Sequence, residues 1–478
     1  MNEITQSWAG SVADVRDQHA RGTRSGIADA GGARHRESTP PARWRGAFAR
    51  TLFTPDQTVT PPAVLGAIVI LAATVAALRM GPHGMNTLWA EDGQVFYSGA
   101  RQGSFLHNFF ETYRGYMHAA PRLVVAAAAL FPLSWAAVTV TLGNALVLGL
   151  LAAVVYCASA PHIHQRTLRI IPAALIAACP VGPETIGSVA NLQWFLVPAA
   201  FLVLLWNPQR PLPIAAGVVT VVFATLSSPF GVFLAPLAVV RAVVLGRRRG
   251  ALIPLAAMGG IVVQGLIMMS THDRDSYDEV RPGTLSRMFV DYVAGQGTTG
   301  VRYFTELRIT GIVVLGVLGA LFLLAAAARL LPQLTAAALF VLFSVLFFAA
   351  PIVLSGMTIG KPGGTRYFVT PFLLLAFAVM TLTSASLSRI DQGGWVWQIR
   401  PFGMVLRGAL AASLVFSCVT CVPSMYSEAR FAPTWSGGLD QARKECRAGA
   451  RLVAIPITPV SAVHNWRVVL KCSQVGSG

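Results

Sequence analysis

The chain has little charge, little cysteine and almost no lysine. Only 12% of its 478 residues are charged, against about 25% in an ordinary soluble domain, which excludes a soluble enzyme and a disordered chain. Six cysteines are too few for a disulfide-rich secreted scaffold. Lysine occurs only at Lys361, Lys444 and Lys471. HExxH and GxSxG are absent, and the single CxxC, Cys418-Val-Thr-Cys421, has no second pair to complete a zinc site. The net charge of +17 is scattered between apolar segments, so a nucleic-acid partner is not expected.

Apolar residues make up 54% of the chain and its mean hydropathy is +0.59. They fall in long continuous runs, not in alternating ten-residue segments, which points to an all-α polytopic membrane protein and away from a β-barrel. The runs are Pro62–Leu78 and then roughly 134–158, 168–181, 193–206, 211–226, 230–246, 250–270, 309–328, 334–354, 371–388 and 403–422. They predict about eleven transmembrane helices in a domain spanning 62–422. Residues 1–61, polar and rich in Gly, Ala and Arg, are expected to be a disordered cytoplasmic tail. No apolar run follows early enough for a signal peptide.

Charge sets the expected orientation. With the tail in the cytoplasm, the inner loops carry Arg166, Arg169, Arg210, Arg241, Arg247, Arg248, Arg249, Arg329, Arg389, Arg400 and Arg407 against a single acid, Asp391, as the positive-inside rule requires. An odd number of spans then puts the C-terminus outside, in the plasma (inner) membrane of its cell. The outer parts are a first loop at 81–133, a middle loop at 271–308 and a small C-terminal domain at 423–478. Ala119–Phe131, bracketed by Pro121 and Pro132, is too short to span and fits a helix lying in the interface. Cys446 and Cys472 share the outer tail; a disulfide would close that domain in an oxidising compartment, and two free thiols are the alternative.

Three clusters carry candidate chemistry. In the first loop, Glu91 and Asp92 stand beside Trp89, Phe96 and Tyr97. A carboxylate partly desolvated there gains proton affinity and could serve as a general base. His107, Glu111, Tyr113, Arg114, Tyr116, His118 and Arg122 follow, supplying ring faces for sugars and guanidinium groups for anions; the alternative is a solvated loop anchored by interfacial aromatics. The second cluster is Glu184, Asn191, Gln193 and Trp194, a polar quartet between apolar runs that either lines a pore or packs against the first loop; the alternative is an ordinary connecting loop. The third is Lys361-Pro-Gly-Gly-Thr-Arg366-Tyr367-Phe368, where glycines and two cations could hold a phosphate, or simply make a turn with snorkelling cations. Four acids of the middle loop, Asp273, Asp275, Asp278 and Glu279, could take a divalent cation but lack EF-hand spacing. No motif demands a cofactor.

This arrangement resembles the GT-C superfamily of integral membrane glycosyltransferases, with its cytoplasmic N-terminus, first span, long outer loop with paired carboxylates, further spans and outer C-terminal domain. The matching element is Trp-Ala-Glu91-Asp92-Gly. The resemblance implies inverting transfer of a sugar from a polyprenyl-phosphate donor to a hydroxyl of an envelope glycan, lipid or protein, outside the cell. Glu91 or Asp92 would be the base, with Asp92 preferred; on a helical backbone adjacent side chains diverge by about 100°, so only one of the two can face the site. Arg366, Lys361 and Arg122 would meet the donor phosphate. Trp89, His118, Tyr116, Arg114, Glu184, Asn191, Gln193, Trp194 and Tyr367 would contact the substrates. The chain lacks a WWDYG-like motif and a long C-terminal domain, which argues against an oligosaccharyltransferase. The rival reading is a transporter or lipid-linked sugar flippase, which would need polar groups at mid-bilayer depth; Asn144 and Gln264 are the main interruptions.

Overall fold

The computed structural model describes residues 52–185, 187–246, 249–271, 282–297, 307–355, 364–391, 432–460 and 465–476. The N-terminal tail to residue 51, residues 272–281 and 298–306 of the middle loop, Lys361, and the run at 403–422 lie outside the described residues.

Each of the other ten apolar runs is a helix. In chain order, with the short elements between them, the helices are α1 (Pro62–Met85), α2 (Ser98–Gln102), α3 (Phe105–Phe110), α4 (Ala119–Ala128), α5 (Ala136–Ala158), α6 (Arg166–Ala177), α7 (Gln193–Leu205), α8 (Pro211–Ser227), α9 (Ala235–Leu245) and α10 (Leu252–Ser270). They continue with α11 (Pro282–Met288), α12 (Leu307–Ala327), α13 (Leu331–Ser355), α14 (Val369–Asp391), α15 (Trp435–Arg447) and α16 (Cys472–Val475). Short strands β1 (Pro55–Asp56), β2 (Thr112–Tyr113), β3 (Tyr116–Met117) and β4 (Asn207–Pro208) lie between them, with a longer pair, β5 (Leu452–Val460) and β6 (Asn465–Lys471), near the C-terminus.

Six helices among the described residues are long and apolar enough to cross a membrane: Pro62–Met85, Leu133–Ala158, Leu252–Ser270, Leu307–Ala327, Leu331–Val353 and Thr365–Ser388. Their outward faces are apolar, with Leu71, Leu78, Met269 and Leu323 exposed by 65–80%. Water would not tolerate so many bare leucines on a monomer, and lipid does. This is a mostly helical membrane protein.

Among the described residues, not every apolar run is a full-length span. α6, α7, α8 and α9 are 12, 13, 17 and 11 residues long, and at 1.5 Å per residue most fall well short of the ~30 Å hydrocarbon core. Prolines explain the shortening: Pro180 and Pro183 follow α6, and Pro208 follows α7. Short helices are tolerated where protein surrounds them. All thirteen residues of α7 are buried, so it is a central pillar, apolar on every side because every side meets protein.

Connections gather at two opposite ends of this bundle. At one end, Thr271 Oγ1 donates to Gly115 O (2.9 Å), Ala120 N–H to Ser227 Oγ (2.9 Å), and the Trp435 indole N–H to Leu133 O (2.8 Å). At the other, β1 pairs with β4, Trp206 Nε1–H donates to Asp56 (2.6 Å), and Gln165 holds Ser388 (2.9 Å).

The C-terminal domain is not purely helical. β5 and β6 form an antiparallel hairpin whose inward residues Val453, Ile455, Ile457, Val468 and Leu470 are buried in alternation, the period of a strand with one covered face. α15 packs on it, and Cys446 and Cys472 are joined in a disulfide with Cα atoms 5.5 Å apart.

Candidate active site

The site is assembled at the end of the bundle that holds the first loop. α1 kinks at Gly81–Pro82 and continues to Met85. Glu91 then has helical dihedrals (φ −62°, ψ −31°), and a π-helical turn runs from Asp92 to Tyr97. The two carboxylates therefore diverge.

Asp92 points inward and is buried. Its Oδ2 accepts from Val189 N–H (3.0 Å), and its Oδ1 from Ala190 N–H (2.8 Å) and Ser188 Oγ (3.3 Å). These donors open the turn Ala190–Leu192 that leads into α7, so Asp92 caps that helix from nearly a hundred residues away. Burial drives its pKa up to about 8, against the opposing pull of the Ala190 N–H; Glu91 nearby adds to the rise.

Glu91 is half-buried and faces elsewhere. It lies close enough to Tyr113, Tyr116 and Arg366 to act on each electrostatically. The tyrosines are placed by a two-residue hairpin. Arg114 and Gly115 both have positive φ (52° and 76°), the type I′ signature, and the register sets Tyr113 opposite Tyr116. Gln264 of α10 fixes that hairpin: its amide donates to Met117 O (3.3 Å) and accepts from Met117 N–H (3.2 Å). His118 stacks on Tyr116 at 4.0 Å. Burial, then the Arg122 charge, lowers the His118 pKa to about 3, so it is neutral and its Nδ1 bonds Tyr116 O (3.2 Å). Burial raises the Tyr116 phenol, which keeps its proton at neutral pH and accepts from Gln193 Nε2 (3.3 Å).

The loop between α6 and α7 supplies the second cluster. It turns at Gly187 (φ +84°), where a Cβ would collide with Met80. Glu184 Oε1 accepts from Arg366 N–H (2.6 Å) and Thr365 Oγ1 (3.1 Å), fixing the start of the helical segment that becomes α14. Asn191 is internal to this loop; it donates to Ser188 Oγ (3.0 Å) and accepts from Trp194 Nε1–H (3.2 Å). Trp194 is buried and packs edge-on against Tyr367 (4.9 Å). The Arg366 guanidinium lies 5.4 Å from the Tyr367 ring.

Arg122 is buried. Its Nη1 contacts Glu111 Oε2 (3.2 Å) and its guanidinium sits 5.3 Å from the Phe96 ring. Nε and Nη2 are buried without a hydrogen-bond partner among the described residues. Trp89 makes a backbone bridge to Thr458 of the C-terminal hairpin. Arg114 is exposed, with its charge 5.9 Å from the Tyr113 ring.

Glu91, Tyr113, Tyr116, Arg366 and Tyr367 thus form one partly open cluster, and Asp92, Glu184, Asn191, Gln193 and Trp194 form its buried support. Asp92, preferred by sequence as the reactive carboxylate, has both oxygens occupied; Glu91 is the one that faces the cluster. Tyr113, one of the first-loop aromatics expected to offer a ring face, is joined by Ser188 and Thr365, to which the sequence assigned no role. No group of three or more His, Cys, Asp or Glu residues that could hold a metal ion occurs among the described residues, and Asp273, Asp275, Asp278 and Glu279 lie outside them. No protein-family model and no curated protein matches the chain.

Proposed function

We propose that the chain is a membrane glycosyltransferase of GT-C type. It moves a sugar from a polyprenyl-phosphate donor to a hydroxyl of an envelope glycan, lipid or protein on the extracytoplasmic face of the plasma membrane. One observation carries this reading: a partly exposed carboxylate, Glu91, shares a cluster with a cation, Arg366, and two tyrosines, at the end of a lipid-embedded bundle. Glu91 takes the acceptor hydroxyl proton as that oxygen attacks the anomeric carbon. The carbon–oxygen bond to the donor phosphate breaks on the opposite face, which inverts the centre. The departing phosphate gains negative charge beside Arg366, with Lys361 and Arg122 as further cations for the donor. Tyr113 and Tyr116 offer ring faces to the sugars.

The polar residues within the spans support surface chemistry over transport. Gln264 holds the hairpin, and Asn144 is placed to donate to Ser188 O (3.3 Å) and accept from Gly187 N–H (3.1 Å). Both hold loops of the site. The test is a transfer assay on purified protein with radiolabelled polyprenyl-phosphate sugars and a cell-envelope acceptor, comparing wild type with Glu91→Gln and Arg366→Ala. Label should pass to the acceptor with wild type and fail with both variants. Wild type that consumes no lipid-linked sugar, or a fully active Glu91→Gln, would sink the reading.

A further inference from the structure

The residues flanking Glu91 are held by the C-terminal domain. Before it, Asn86 O accepts from Trp435 N–H (2.6 Å), and Leu88 O from Thr458 N–H (3.1 Å). After it, Gln94 Oε1 accepts from Arg467 N–H (3.0 Å), and Tyr97 meets the Trp435 ring edge-to-face at 6.0 Å. At Gly93 the hairpin comes so close that a Cβ would lie 2.5 Å from Ile457 Cδ1 and 3.0 Å from Val468 Cγ2. Trp435 is only 1% exposed. It touches the beginning of the first loop at Asn86, its middle at Tyr97 and its end at Leu133, through the indole N–H. The disulfide ties the helix that bears Trp435 to the strand end that follows Val468.

We infer that the C-terminal domain is a clamp that sets the position of Glu91, with Trp435 and Ile457 as positioning residues. The inference rests on the proposed role of Glu91, but its structural half can be tested without that role. Glu91 opens a short helical stretch, residues 90–102, and a helix of that length does not hold itself in place without packing from elsewhere. Displacement of a general base by about 1 Å costs on the order of 100-fold in rate, so the second layer must come from elsewhere in the chain, and here it comes from more than 300 residues away.

The full-length protein in detergent is compared as wild type, Trp435→Phe, Gly93→Ala, and Gly93→Ala with Ile457→Val. Amide hydrogen exchange is followed over 86–102 and over 193–205, and kcat and KM are measured in the transfer assay. Trp435→Phe keeps an aromatic ring and the backbone bond, and deletes the indole N–H bond to Leu133 together with the pyrrole part of the side chain; the small cavity this leaves should not prevent folding. Exchange over 86–102 should quicken in Trp435→Phe and Gly93→Ala while 193–205 stays protected. Gly93→Ala should lower kcat by on the order of 100-fold with KM little changed, and Ile457→Val, which removes the colliding carbon, should restore most of it. Unchanged exchange over 86–102 in both single variants overturns the clamp, whatever the transfer assay gives. So does a Gly93→Ala defect that Ile457→Val leaves untouched. A wild type without transfer activity would remove the glycosyltransferase reading and leave the exchange result to decide the clamp.

Discussion

Among the described residues, four buried ionisable side chains each sit on the end of a helix contributed by a distant segment. Asp92 caps the start of α7 and Glu184 the start of the segment leading into α14. Arg79 donates to Ala177 O and Cys179 O at the end of α6 (2.8 Å each), and Arg241 to Val203 O (3.0 Å), Leu204 O (2.8 Å) and Trp206 O at the end of α7. The charged form of each group has the sign that suits its end of the helix dipole. This separates the two adjacent carboxylates by role. Asp92→Ala leaves two backbone N–H groups buried and unpaired, at about 1–3 kcal/mol each, so its melting temperature in detergent should fall clearly below wild type. Glu91→Gln should melt like wild type and lose roughly 10²–10⁴-fold in transfer rate. Equal melting of the two variants would refute the division. The Asp92 carboxyl also makes a pH signature. Its pKa is about 8 in the fold against 3.8 unfolded, so between those values the folded protein holds a proton that the unfolded chain has released. Its contribution to stability is complete below about pH 4 and is lost as pH rises toward 8, by about 1.4 kcal/mol per pH unit. Chemical denaturation across that range should show a downward slope that Asp92→Asn flattens; a slope that persists in the variant places its source elsewhere.

At the scale of elements, composition discloses what the bilayer selects and conceals what the protein selects. The apolar runs were legible because lipid demands long continuous stretches, and each described run is a helix. The inner position of α7 was not legible, since a helix buried by protein and one buried by lipid have the same composition. Arg241 reads as a loop charge of the positive-inside pattern, yet it is fully buried within α9, because its partner carbonyls lie more than thirty residues away. The acidic pair was visible locally, whereas its division of labour depends on Ser188, Val189 and Ala190, which no spacing rule connects to Asp92. Gln264 and Asn144 looked like candidate transport residues and turn out to pin loops. Gln264→Leu keeps the volume and removes both bonds to Met117. The hairpin of Tyr113 and Tyr116 should then exchange its amides faster, and kcat should fall with the six long helices intact. Undisturbed exchange at 113–118 would show that the hairpin is held by its own turn.

For the whole molecule, the two-ended pattern of connections makes a topological claim that charge counting alone could not make. The first loop and the C-terminal domain meet directly through Trp435 and Asn86, so an even number of crossings separates α1 from residue 432. The opposite end gathers Asp56, Gln165, Asn207 and Ser384, so these must share the other face of the membrane. By the positive-inside rule, the excess of arginine beside Gln165 and Gln209 leads us to propose the cytoplasm for that second face. Ser104, Lys444, Thr167 and Gln209 are all exposed and suit single cysteine replacement. In intact cells a membrane-impermeant maleimide should label cysteines at 104 and 444, and should reach 167 and 209 only after permeabilisation. A split between 104 and 444 would break the contact on which the active-site geometry depends. Reversal of all four together would leave the fold untouched and move the chemistry to the cytoplasmic face, where nucleotide sugars are at hand and a lipid-linked donor is no longer required.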